Sequence, residues 1–117
     1  MKRYTAPLLS VALLAFSAAA VAKGDIEAGK QKSAPCQACH GADGKATIDP
    51  QYPRLAGQYR DYLARSLHEY KSGARANPIM AGFVATLSAQ DIEDLSTYYA
   101  SLPGEELFDL HNRVQGN

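Results

Sequence analysis

Apolar residues occur in two kinds of run along this chain. The first is unbroken: Tyr4 to Ala22 carries no charge and is rich in Leu, Ala and Val. The later runs are periodic. Tyr59, Tyr62, Leu63, Leu67 and Tyr70 recur mainly at spacings of three and four, which predicts a helix over 58–72 that Gly73 stops. Ile92, Leu95, Tyr99 and Leu102 form a second stripe, ended by Pro103-Gly104. Ser88 can cap that helix with Asp91 three residues on, and Leu87 can pack against Ile92 as a hydrophobic staple. A shorter helix is expected from Asp25 to about Ser33, with Asp25 and Glu27 early and Lys30 and Lys32 late, matching the helix dipole, and a break at Pro35. Residues 41–57, rich in Gly, Pro and Asp, and 74–86, with Asn77-Pro78, read as loops. No alternating strand pattern is present. The pattern predicts an all-α domain of three main helices and long loops. Such loops are uncommon in a compact domain, and they make sense if they wrap a large apolar object.

The unbroken run belongs to something else. Lys2 and Arg3 precede it, Ala20-Val21-Ala22 offers a small-x-small cleavage site, and charge resumes at Lys23. This is the order of a secretory signal peptide over 1–22, which predicts export to the periplasm. The alternative is an uncleaved anchor, since the run approaches the ~20 residues needed to span a bilayer; with cleavage, no stable membrane insertion is expected. Cleavage leaves 95 residues, read as a domain over 23–104 and a C-terminal extension over 105–117. A domain of that size often needs a staple, and two cysteines cannot supply a disulfide framework. The segment after the leader has ten basic and twelve acidic residues, net −2, divided as +3 over 23–86 and −5 over 87–117. No nucleic-acid footprint is present. Asp91, Glu93 and Asp94 read as acids favoured at a helix N-terminus.

Cys36-Gln37-Ala38-Cys39-His40 carries the chemistry. Cys-x-x-Cys-His is the attachment signature of c-type haem. Two thiols two residues apart can add to the two vinyl groups of one porphyrin, and the adjacent imidazole is then held below the iron. Three rivals stand beside this reading. A thioredoxin-like redox pair would need a βαβ context. A zinc site would need His68 or His111 as a fourth ligand beside the crowded Cys39-His40 pair. A Cys36–Cys39 disulfide would close too small a loop to stabilise much. For the iron's other face, Met80 is the only methionine after the initiator and lies 40 residues beyond His40 in an expected loop; His68 and His111 are its competitors.

These features together resemble a class I cytochrome c of the small bacterial type, similar to one half of the dihaem bacterial cytochromes. The resemblance spans 24–103. It rests on Gly29, on Cys36-Gln-Ala-Cys-His-Gly-Ala-Asp-Gly44, on Tyr52-Pro-Arg-Leu-Ala-Gly-Gln58, on Asn77-Pro-Ile-Met80, and on Leu87-Ser-Ala-Gln-Asp-Ile-Glu-Asp-Leu95 followed by Tyr98-Tyr99. It implies the class I cytochrome c fold around one covalent haem c held by Cys36 and Cys39, with His40 and Met80 as axial iron ligands and Pro53 lending its backbone carbonyl to the His40 ring. Gly29 would let the first and last helices cross closely, facing Tyr98 or Tyr99. Arg54, Tyr59, Arg75 and Asn77 would contact the propionates or the methionine loop. There is no second Cys-x-x-Cys-His and no Trp, so a single haem is expected and any Trp contact to a propionate is absent. The implied role is that of an electron carrier, not an enzyme, meeting a reductase and an oxidase or another cytochrome transiently. A gas-binding or peroxidase-like protein with a labile methionine, or a subunit of a larger redox enzyme, are the alternatives.

Overall fold

The computed structural model describes residues 21–104. The expected leader, apart from Val21 and Ala22, and the extension over 105–117 lie outside the described residues. Among the described residues the chain forms five helices and no strand: α1 (Ile26–Lys32), α2 (Ala34–His40), α3 (Arg60–Ser72), α4 (Pro78–Val84) and α5 (Ala89–Ser101). The three expected helices are α1, α3 and α5. The two short ones correct the expected break at Pro35 and the expected loop over 74–86, and both have proline in the first turn, where its missing N–H costs nothing.

Pro35 therefore starts a helix. Ser33 closes α1, donating its hydroxyl to the Lys30 carbonyl at 2.7 Å, and the next residue already belongs to α2. Likewise Asn77 caps α4, its side-chain oxygen accepting the N–H groups of Ile79 and Met80 at 3.0 and 3.1 Å. The other caps follow the sequence signals. Asp25 accepts from Ala28 N–H at 2.7 Å, Ser88 and Asp91 form a reciprocal capping box, and Gly73 ends α3 in the left-handed conformation.

The core is built on α5, which packs against both α1 and α3. Leu95, Tyr98 and Tyr99 are buried with Leu63 of α3, and Leu55, Leu67, Leu87 and Leu102 close around them. Gly29 of α1 is buried at the crossing with α5. A Cβ there would land on the Asp94 carbonyl and within 2.7 Å of the Tyr98 Cβ, so the close approach needs glycine, and of the two tyrosines it is Tyr98 that faces it. Asp94 does more than favour a helix N-terminus. It is 3% exposed and accepts from Asp25 N–H at 2.9 Å, Gln90 Nε2 at 2.9 Å and Lys32 Nζ at 3.4 Å. Lys32 also pairs with Asp91 at 3.3 Å, and Glu93 pairs with Arg60 of α3. The acids of α5 thus join three helices.

Candidate cofactor site

Beside this core lies a largely apolar cleft lined by residues of all five helices and of the loop over 52–58, with Arg75 and Leu87. Helix α2 supplies Cys36, Cys39 and His40. Because that segment is helical, the three lie at i, i+3 and i+4 and share one face. The chain must then leave the helix at once. Gly41 does this at φ +83°, and a Cβ there would fall 2.6 Å from the Ala46 carbonyl oxygen. The following loop folds back as Leu55 and Ala56 donate to the Gly44 carbonyl at 2.8 and 3.1 Å. That return brings the Pro53 carbonyl to His40 Nδ1, 2.8 Å away.

His40 is 5% exposed. With its Nδ1–H donated to a carbonyl, the imidazole keeps Nε2 as the nitrogen able to ligate a metal. Tyr52 meets the ring edge-on, with centroids 6.3 Å apart. Cys36 and Cys39 are half-buried and not joined by a disulfide. Burial pushes the Cys36 thiol up, against an opposing contact from Tyr99. A thiol held neutral is a poor redox nucleophile, which weighs against the thioredoxin-like alternative, as does the lack of strands among the described residues. Burial also holds the Tyr99 phenol well above its usual value. Its hydroxyl sits near Ser33 and Cys36 yet has no partner in hydrogen-bond geometry.

The same cleft is lined by Leu63 and Leu67 of α3 and by Met80, Phe83 and Val84 of α4. Met80 is half-buried. His68 is exposed on α3 and does not line the cleft, and His111 lies outside the described residues. No three His, Cys, Asp or Glu side chains among the described residues converge as a metal cage. The cleft thus brings Cys36, Cys39, His40, Pro53 and Met80 together.

The residues 26–103 match the cytochrome c family model. The chain belongs to the cytochrome c family. It is 44% identical over 88 residues to cytochrome c4 of Pseudomonas aeruginosa, covering 75% of this chain and 43% of that protein. It is 41% identical over 81 residues to cytochrome c-554(548) of Halomonas halodenitrificans, covering 67% of this chain and 96% of that one. The crystal structure of reduced recombinant cytochrome c4 from Pseudomonas stutzeri aligns with a TM-score of 0.65 at 41% identity, covering 70% of this chain and 47% of that chain. The chain spans less than half the length of these cytochrome c4 relatives, matching one half of each. The cytochrome c family binds haem c covalently, and Cys36 and Cys39, followed by His40, fit its attachment motif.

This cytochrome's cleft suits that group: two unjoined thiols and an imidazole on one helix face, an apolar lining, and a buried phenol without a partner. Arg75, one of the contacts the resemblance implies, lines the cleft, but its partners are marked by no local motif: it stacks over the Tyr70 ring at 4.9 Å and donates to Ser66 Oγ at 3.2 Å. Tyr59, a resemblance-based candidate, is 66% exposed and is not among the lining residues. Asn77 acts through its cap on the Met80 turn, and the Asn-Pro pair was the available signal.

Proposed function

We propose that this protein is an exported, single-haem electron carrier in which Cys36 and Cys39 hold haem c through thioether bonds and His40 and Met80 ligate its iron. The observation that supports the reading is the cleft itself, whose lining includes both thiols, the Pro53-bound imidazole and Met80. Bound there, haem iron supplies a one-electron Fe(II)/Fe(III) couple. The Pro53 carbonyl fixes the His40 ring and raises its basicity. The neutral thioether of Met80 favours reduced iron and raises the potential, and Leu63, Leu67 and Val84 act in the same direction by keeping water, which stabilises the more charged state, away. With both axial positions taken by side chains, no open position is left for a substrate, so the role is that of a carrier and not an enzyme.

Partners would be redox proteins, a reductase as donor and an oxidase or cytochrome as acceptor, meeting the cleft mouth where Tyr62, Ile79 and Phe83 are exposed. A small transient contact suits turnover. Export rests on the leader pattern of residues 1–22. Among the described residues no helix is long and apolar enough to cross a membrane.

The test is the absorption spectrum of the purified protein before and after acid-acetone extraction. We expect pigment that stays with the polypeptide, a ferric Met-to-iron charge-transfer band, loss of that band in Met80→Ala, and carbon monoxide binding only in that variant. Rapid carbon monoxide binding by the wild type would favour a gas-binding role instead.

A further inference from the structure

Helix α4 is a poor platform for a ligand. It has seven residues, too few to be stable alone, and only Val84 in it is buried. Its hold on the body comes from α3. At the entry, Arg75 N–H donates to the Glu69 carbonyl at 3.1 Å, and its guanidinium reaches Ser66 and Tyr70. At the exit, the Lys71 ammonium donates to the Ala85 carbonyl at 3.0 Å and to the Leu87 carbonyl. Ala85 caps α4 and Leu87 stands just before the α5 cap, so one cation satisfies carbonyls on both sides of the turn. The stretch of chain from Arg75 to Leu87, with α4 inside it, is therefore fastened at both ends to the last two turns of α3.

We propose that Lys71 is a positioning residue for Met80: its bridge to the Ala85 and Leu87 carbonyls closes the Met80 segment onto α3 and limits how often the thioether leaves the iron. The inference rests on the axial role of Met80 proposed above. Lys71→Met keeps the aliphatic stem and removes the donors. Charge-assisted hydrogen bonds of this kind, at an exposed position, are expected to alter the opening equilibrium by about tenfold.

Imidazole binding to the ferric holoprotein reads that opening, because imidazole must displace the thioether. Lys71→Met should raise imidazole affinity about tenfold, whereas Lys30→Met, which removes a cation from exposed α1, should leave it unchanged. In a Met80→Ala background, Lys71→Met should have no effect, since there is no thioether left to displace. Wild-type affinity in Lys71→Met, or an equal gain in both backgrounds, would overturn the inference while the charge-transfer band of the wild type keeps the axial reading intact. A wild type without that band, binding imidazole as tightly as Met80→Ala, would overturn the axial reading and the inference together.

Discussion

The two walls of the cleft are built on different principles. The wall bearing Cys36, Cys39 and His40 continues from α1, whose crossing with α5 is interlocked: Gly29 fits under the Asp94 carbonyl, Ile92 and Leu95 are buried, and Asp94 receives three donors. The wall bearing Met80 is a single short helix with exposed Ile79 and Phe83, tied down by a cap and by side chains of α3. One wall is held by burial that needs no cofactor, the other by a few polar contacts and by whatever fills the cleft. The thiols of the attachment motif sit on the first and Met80, the proposed displaceable ligand, on the second, so the tighter chemistry would have the stiffer support.

The sharpest way to break this contrast is at the crossing. Gly29→Val should destabilise the protein by about 3 kcal/mol, with both far-UV ellipticity and the charge-transfer band lost at the same lower denaturant concentration. Loss of the band alone would mean that the crossing does not support both walls. Asp94→Ala, which leaves the Asp25 N–H and Gln90 amide without their acceptor, should cost about 2 kcal/mol in the same measurement. Its pH dependence sharpens the point. Burial opposes ionisation of Asp94, but the Asp25 N–H, Gln90 and Lys32 outweigh it and hold the carboxyl below its ordinary value; the Ser88 N–H and hydroxyl do the same for Asp91. As pH falls, the unfolded chain binds these protons first. The stability they give is therefore complete above the ordinary carboxylate range and is lost as pH drops through the folded-state values. Thermal melts of Asp94→Ala should show a flatter acid limb than wild type, and an unchanged limb would remove Asp94 from that role. The smallest effect is on the other wall. Asn77→Ala should cost the Met80 turn about 1 kcal/mol, bringing loss of the charge-transfer band to lower denaturant while the far-UV midpoint barely moves.

Local signals were legible where they act within a turn of their own helix. Asp25, the Ser88 and Asp91 box and Gly73 each stand where the sequence puts a helix end. The Cys-x-x-Cys-His run identifies its cofactor by itself, because the thiol spacing is the chemistry. Proline carries two signals at once: Pro35 and Pro78 interrupt the preceding pattern, yet each stands in the first turn of a new helix, behind the N-caps Ser33 and Asn77. Contacts that depend on tertiary folding left no such trace. The Pro53 carbonyl reaches His40 across a 13-residue separation, and only the family resemblance anticipated it. Lys71 looks like any basic residue in the last turn of a helix until the α4 to α5 turn arrives beneath it. Asp94 was indistinguishable from its neighbours Asp91 and Glu93 because burial is not written in residue type.

Ser33 is fully buried and is the sole residue between α1 and α2. Its carbonyl accepts the N–H groups of Cys36 and Gln37 at 2.9 and 3.2 Å, so no slack separates the anchoring thiols from the first helix. The protons on those two amides can reach solvent only when the α1–α2 joint itself opens. Deuterium uptake would then divide the pigment's surroundings into a slow half and a fast half, a clock on each side of the same plane.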